Sequence, residues 1–98
     1  MHEAISRQGQ IGLYLLEDAI LELLYLTRLD SEKAWLNSTD IHHALGLPVD
    51  SDLHCEIVQA ILNLLYKSGR VNRKGFLKKL YWRITDVEYQ KRQIGGEN

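Results

Sequence analysis

The hydrophobic period of this 98-residue chain changes at Gly69. Before Gly69, apolar residues recur at three- and four-residue steps, as in helices with one buried face. After it, apolar and polar residues alternate, as in strands with one buried side. A chain of this length with 45% apolar residues can build one compact core. The sequence therefore predicts an α+β fold that is mainly helical, with three core helices, a short strand and a C-terminal β-hairpin.

Three helices are predicted ahead of that change. The first covers residues 12–28, and a short strand follows at 34–36. The second begins at Ser38 or Thr39 as N-cap and ends at Gly46, which suits a left-handed residue before Pro48. The third runs from about residue 51 to about 68. Its predicted buried face consists of Leu53, Ile57, Ala60, Ile61, Leu64 and Leu65, and its outward face of Asp52, His54, Cys55, Glu56, Gln59, Asn63 and Lys67.

The hairpin is predicted from two segments rich in β-forming residues, at 70–73 and 80–84, joined by a turn at Lys74 and Gly75. Phe76, near the tip, is expected to pack beneath the loop. A final short helix is predicted at 86–94. No exposed aromatic pair on a sheet is expected, which makes RNA a weaker candidate partner than duplex DNA.

A second apolar flank on the first helix is formed by Tyr14, Leu21 and Tyr25. Their four- and seven-residue spacings place them together on a helix, beside the stripe that forms the core. Two explanations stay open. The flank is either a dimer interface or a surface that an N-terminal segment around Ile5 covers.

Positive charge is concentrated near the C-terminus. Nine of the twelve Lys and Arg residues lie between Lys67 and Arg92, whereas residues 1–66 carry a net negative charge. An asymmetry of this kind points to a polyanionic partner, although a solvated basic face gives the same pattern.

Several classes of function are not favoured. We expect a soluble cytoplasmic protein, because the N-terminus has no signal-like pattern, no apolar run is long enough to cross a bilayer, and Cys55 is the only cysteine. His42, His43, His54 and Cys55 do not follow a zinc-site spacing, so no metal site is predicted. No catalytic residues and no cofactor are predicted.

The order of elements is similar to that of the winged helix-turn-helix family of DNA-binding proteins, of the small prokaryotic transcription-regulator type. STDIHHALGLP at 38–48 resembles the helix that precedes the recognition helix. ILNLLYKSGRV at 61–71 resembles the end of a recognition helix turning into the wing, and LYWRIT at 80–85 resembles the return strand of the wing. On this resemblance, residues 1–11 are an N-terminal extension, 12–86 the winged-helix domain, and 87–98 a short helix and frayed tail.

The resemblance implies a small transcriptional regulator that binds double-stranded DNA and acts as a dimer, with Tyr14, Leu21 and Tyr25 as the candidate dimer face. The implied phosphate contacts of the wing are Arg70, Arg73, Lys74, Lys78, Lys79 and Arg83. The implied contacts of the recognition helix are His54, Gln59, Asn63 and Lys67. Because the face predicted for that helix is polar without being basic, a winged-helix adaptor that binds another protein is the alternative.

Overall fold

The protein is described here by a computed structural model, which covers the backbone of residues 2–96 and the side chains of residues 15–95. Within that part of the chain the fold is α+β and mainly helical, as predicted. The elements in chain order are α1 (His2–Asp30), β1 (Leu36–Asn37), α2 (Ser38–Leu45), α3 (Asp52–Lys67), β2 (Val71–Phe76), β3 (Lys79–Ile84) and α4 (Asp86–Gly96).

The three strands form an antiparallel sheet in the order β1-β3-β2. Trp82 of β3 lies opposite Leu36 on one side and Arg73 on the other, and Ile84 lies opposite Val71. Trp82, Ile84 and Val71 are buried, so one face of the sheet closes the helical core. The buried core consists of Ile20, Leu21, Leu24, Ile41, Val58, Ile61, Leu62, Leu65, Val71, Trp82 and Ile84.

The start of α2 differs from the prediction by one or two residues. Asn37 is the N-cap, because its side-chain oxygen accepts a hydrogen bond from the backbone N–H of Asp40 at 2.8 Å. The Asp40 carboxylate in turn accepts from the backbone N–H of Asn37 at 3.1 Å, which completes a capping box. The helix ends, as predicted, at Gly46 in the left-handed conformation with φ of 69°.

The buried face of α3 is rotated from the predicted one. Val58, Ile61, Leu62 and Leu65 are buried, whereas Leu53 and Leu64 are 63% and 64% exposed. Apolar residues cover more than half of the circumference of this helix, so two different stripes satisfy the helical period. Packing against the rest of the core selects the stripe centred on Val58 and Leu62.

The N-terminal helix is longer than predicted, and Leu21 of the candidate dimer face is a core residue, so this part of the prediction is wrong. α1 begins at His2 rather than at residue 12, so the segment around Ile5 continues the helix instead of folding back. Leu21 is fully buried in the core, and the ring of Tyr25 lies 5.3 Å from that of Tyr89 in α4. The core and α4 therefore occupy this flank, while the side chain of Tyr14 lies outside the described residues.

The hairpin turn lies three residues beyond the predicted one. Phe76 pairs with Lys79, which leaves Leu77 and Lys78 as a two-residue loop. Both have positive φ, 50° and 65°, as a type I′ turn requires. Gly75 lies inside β2, and Phe76 is 60% exposed instead of packed beneath the loop.

Candidate nucleic-acid interface

The basic side chains of the hairpin lie on both faces of the sheet, because neighbouring side chains along a strand point to opposite faces. Arg73 points toward α3, since its guanidinium carbon lies 4.2 Å from the centre of the Tyr66 ring and 5.8 Å from that of Trp82. Lys74 points to the other face, where its ammonium lies 4.4 Å from the centre of the Trp35 ring. The six residues predicted for one wing surface therefore do not form one surface.

Arg70 is not a free phosphate contact, so this part of the prediction is wrong. Its guanidinium donates to Glu17 of α1 at 2.9 Å and to Glu88 of α4 at 3.0 Å. The hydrogen bond to Glu88 raises the pKa of Arg70 above its ordinary value and outweighs burial, which lowers it; the charges of Glu88, Glu17 and Asp18 raise the pKa further. Arg70 connects the first and last helices through the end of the sheet.

Two further arginines support the same junction. Arg92 of α4 donates to Glu22 of α1 at 2.7 Å, and Arg28 of α1 forms an ion pair with Asp86 at the start of α4. Arg28 also lies 4.3 Å from the centre of the Tyr89 ring. Acids of the negative half thus neutralise part of the basic stretch.

The remaining basic side chains of the hairpin have no such partners. Within the described part of the chain, no ion pair with a carboxylate involves Arg73, Lys74, Lys78, Lys79 or Arg83. Arg83 is half-buried, and the strand alternation places it on the face of the sheet away from the core. The other four residues are exposed.

One side of α3 brings polar groups next to the hairpin. The amide nitrogen of Gln59 donates to the Asn63 side-chain oxygen at 3.4 Å, and Arg73 approaches the same oxygen at 3.5 Å. A groove of about 230 Å³ runs beside Gln59 and is lined by Asn37, Ser38, Thr39, Gln59, Lys79, Leu80 and Trp82. The structure therefore places Gln59, Asn63 and Arg73 together, with Lys79 across the groove.

Of the other two residues predicted for the recognition helix, His54 is apart from this cluster, whereas Lys67 follows Asn63 by four residues and lies on the same side of α3. A ring nitrogen of His54 lies 2.7 Å from the Ser51 hydroxyl, which caps α3, so His54 belongs to the start of the helix rather than to its outward face. Lys67 is exposed at the opposite end of α3. The outward surface of α3 also carries the exposed side chains of Leu53, Glu56 and Leu64, so this part of it is apolar and acidic.

The face of the sheet opposite the core carries a cluster that the sequence reasoning missed. Lys33, Trp35, Lys74, Gly75, Phe76 and Tyr81 line an open cleft of about 420 Å³. Phe76 is exposed there and Trp35 and Tyr81 are half-buried, so more aromatic surface faces the solvent than the sequence predicted. Alternation along β3 already placed Tyr81 outward, but the position of Trp35 beside it depends on the pairing of β1 with β3.

The candidate metal ligands do not come together. His42 is buried, and one of its ring nitrogens lies 2.7 Å from the carbonyl oxygen of Ser38. The thiol of Cys55 lies 3.5 Å from the carbonyl oxygen of Val49. Among the described residues there is no group of three or more potential metal ligands, and no helix there is long and apolar enough to span a bilayer.

The solved structure of AbfR, a staphylococcal helix-turn-helix regulator, in its disulfide-formed state has a similar fold. The TM-score is 0.54 and the sequence identity 18%, over 96% of this chain and 71% of AbfR. No model of a known protein family matches the chain, and neither does any curated protein sequence. The similarity supports the α+β, mainly helical fold described above.

Proposed function

We propose that this protein is a DNA-binding regulator that contacts the duplex with one side of α3 and the β2–β3 hairpin. The observation that carries this proposal is the cluster of Gln59, Asn63 and Arg73 at the junction of the two elements. Arg, Asn and Gln are the side chains whose donor and acceptor pairs match base edges in the major groove. The fold similarity to a helix-turn-helix regulator is consistent with it.

Contacts to the phosphate backbone are assigned in this proposal to Lys78 and Lys79, with Lys67 as a third contact. All three are exposed, and lysine binds a phosphate as a point charge without reading sequence. Arg73 has a different task, because the Tyr66 ring holds its guanidinium beside α3. A guanidinium that is already positioned loses less entropy when it forms a bidentate contact to a base.

The salt dependence of duplex binding tests the phosphate contacts. We would titrate a labelled random-sequence duplex with the protein and follow fluorescence anisotropy at about 50 and about 200 mM salt. The slope of log K against log salt is negative. Replacing both Lys78 and Lys79 by Gln should make it less steep, by about 0.9 for each phosphate that is no longer neutralised. Lys91→Gln, an exposed cation on α4, serves as the control and should leave the slope unchanged. Absence of duplex binding at the lower salt concentration would refute the proposal.

Replacing Arg73 by Lys tests base reading separately, once a preferred site has been selected from random sequence. The variant keeps the charge but lacks the bidentate fork, so affinity for that site should fall about ten-fold while affinity for random duplex is retained. An equal loss on both duplexes would show that Arg73 acts only on the backbone.

A protein-binding adaptor remains the second candidate, favoured by the exposed Leu53 and Leu64 on α3. A stripe of leucines beside acidic residues suits the apolar surface of a protein better than it suits a phosphate backbone. Replacing both leucines by Gln distinguishes the two functions. A regulator that contacts DNA through Gln59 and Asn63 should bind the duplex and keep that affinity in the variant. An adaptor should bind the duplex in neither form, and the substitution should remove its apolar protein-binding surface.

A homodimer belongs to the same proposal, but through a different surface from the predicted flank. Leu15, Leu26 and Leu29 of α1 are exposed, and their spacings of eleven and three residues place them on one side of the helix. Sedimentation velocity over a range of concentrations tests this. The dimer should dissociate when Leu15 and Leu26 are both replaced by Gln, and a wild-type protein that sediments as a monomer throughout would contradict it.

A further inference from the structure

We propose that the open face of the sheet is a second binding site, one for single-stranded nucleic acid. The site is the cleft lined by Lys33, Trp35, Lys74, Gly75, Phe76 and Tyr81, here called the aromatic cleft. It lies on the opposite side of β2 from Arg73, the residue that the duplex proposal uses. The cleft and the Arg73 cluster therefore lie on opposite faces of the hairpin, and the two proposed sites meet only at its tip, where Lys79 is the cross-strand partner of Phe76.

The strand pairing brings the aromatic cleft together. Lys74 and Tyr81 are direct partners across β2 and β3, so their side chains are neighbours on one face. Phe76 follows Lys74 by two residues and points to the same face. Trp35 immediately precedes β1, whose Leu36 is the partner of Trp82. Three aromatic side chains from three parts of the chain therefore line one cleft.

The rings of the aromatic cleft are only partly covered by the protein. Phe76 is 60% exposed, and Trp35 and Tyr81 are half-buried, although each has a large apolar surface. Isolated exposed apolar residues are ordinary, but a contiguous group in a concave place marks a binding surface. The cleft volume of about 420 Å³ is within the range of small-ligand sites, so there is room for stacked rings.

The charge of the cleft selects the ligand. Among the residues that line it are Lys33 and Lys74 and no carboxylate, which favours an anion with flat apolar faces. A nucleotide chain has this chemistry, since bases stack on aromatic rings and phosphates pair with lysines. In a duplex each base is already stacked and paired, so only an unpaired strand can place its bases in the cleft.

Lys74 has a specific part in this site. In the free protein its ammonium lies over the Trp35 ring, 4.4 Å from the ring centre. A phosphate is a stronger partner for an ammonium than an aromatic face is, so the bound strand draws Lys74 aside and uncovers the ring. Binding therefore changes the environment of Trp35, while Trp82 stays fully buried.

That difference between the two tryptophans provides the readout. We would titrate the protein with an oligo(dT) strand, and separately with oligo(rU), and follow tryptophan fluorescence at low salt. Stacking of bases on Trp35 should quench the emission. Inorganic polyphosphate at the same phosphate concentration supplies charge without bases. It can displace Lys74 from the ring but cannot stack on Trp35, so it should quench far less than oligo(dT) and compete only weakly.

Substitutions at Phe76 separate stacking from packing. Phe76→Leu keeps the apolar bulk but removes the π face, and it should weaken oligo(dT) binding about five-fold or more, whereas Phe76→Tyr should retain it. Leu77→Ala, at a more exposed apolar position in the adjacent turn, is the control and should have no effect. Circular dichroism shows whether each variant is folded, and Lys74→Gln provides a second test that does not alter the aromatic rings.

The outcomes are distinct from those of the duplex proposal. Loss of oligo(dT) binding in Phe76→Leu and Lys74→Gln, with duplex affinity unchanged, supports the second site even if duplex binding is itself absent. The proposal is overturned if no single strand quenches Trp35 at low salt. It is also overturned if polyphosphate competes as well as oligo(dT), or if Phe76→Leu binds as the wild type does.

Discussion

Arg70 and Lys79 belong to the same basic stretch of sequence, but the fold gives them opposite environments. Arg70 is held between Glu17 and Glu88, and so joins α1 to α4. Lys79, only nine residues later, is exposed beside an open groove. Comparing the two regions shows that the basic residues of this stretch fall into two groups. One part stabilises the fold, and only the other is available to an anionic partner.

The physical difference lies in where the acids are. α1 carries Glu17, Asp18 and Glu22 on the side that α4 packs against, so cations close to this junction become paired. Near the turn of the hairpin, no described carboxylate forms an ion pair with Lys78 or Lys79. A partner that binds through charge should therefore meet the hairpin and not the helical junction.

Breaking the Arg70 pair should produce the largest effect on stability. Arg70→Gln removes the hydrogen bond to the buried Glu88, whose remaining charged partner, Arg92, is 3.8 Å away, and should lower the free energy of unfolding by about 2 kcal/mol. The ion pair with Glu17 is partly open to solvent, which screens it, so it adds less. Urea unfolding followed by circular dichroism measures the change.

Lys79→Gln is the comparison for that variant. It removes the same charge from an exposed site, so the free energy of unfolding should stay within about 0.5 kcal/mol of the wild type. If the two variants lost equal stability, the division between structural and available cations would be wrong.

A substitution in the hairpin turn should change stability in the opposite direction. Lys78 has a φ of 65°, a conformation that costs a residue with a Cβ about 1 kcal/mol relative to glycine. Lys78→Gly should therefore raise the free energy of unfolding by up to about 1 kcal/mol while removing a cation. Lys78→Ala removes the same charge but keeps the Cβ, and it should not be stabilising. A destabilised glycine variant would mean that the Lys78 side chain contributes to the fold.

The fold was largely predictable from the sequence because local signals coincide with the tertiary structure. Glycine at a helix end and the change of period at Gly69 are properties of the chain itself, and they identified α2, α3 and the hairpin. The turn position was not predictable in the same way. Gly75 is the residue that suits a turn best, yet the pairing of Val71 with Ile84 fixes a register in which Leu77 and Lys78 form the loop.

The candidate site was predicted only in part, for a related reason. The sequence gives the type of each residue but not the residues it contacts. Arg70 and Arg73 therefore looked alike until the structure showed Glu17 and Glu88 beside Arg70. The same limit hid the aromatic cleft, since Trp35 and Phe76 are 41 positions apart in the chain. Gln59 and Asn63 were identifiable because a four-residue spacing places two side chains on one side of a helix.

The effect of pH should be the smallest, and it tests whether charge is what Arg70 contributes. Since the pKa of Arg70 is raised in the folded state, its stabilisation is fully present below the ordinary arginine pKa and is lost only as pH rises through the still higher folded value. The difference in unfolding free energy between wild type and Arg70→Gln should therefore be constant between about pH 7.5 and pH 10. Other groups that titrate in this interval are common to both proteins and cancel in the difference. A difference that shrank toward pH 10 would show that the substitution disturbs an interaction with one of those groups, and not the charge held between Glu17 and Glu88.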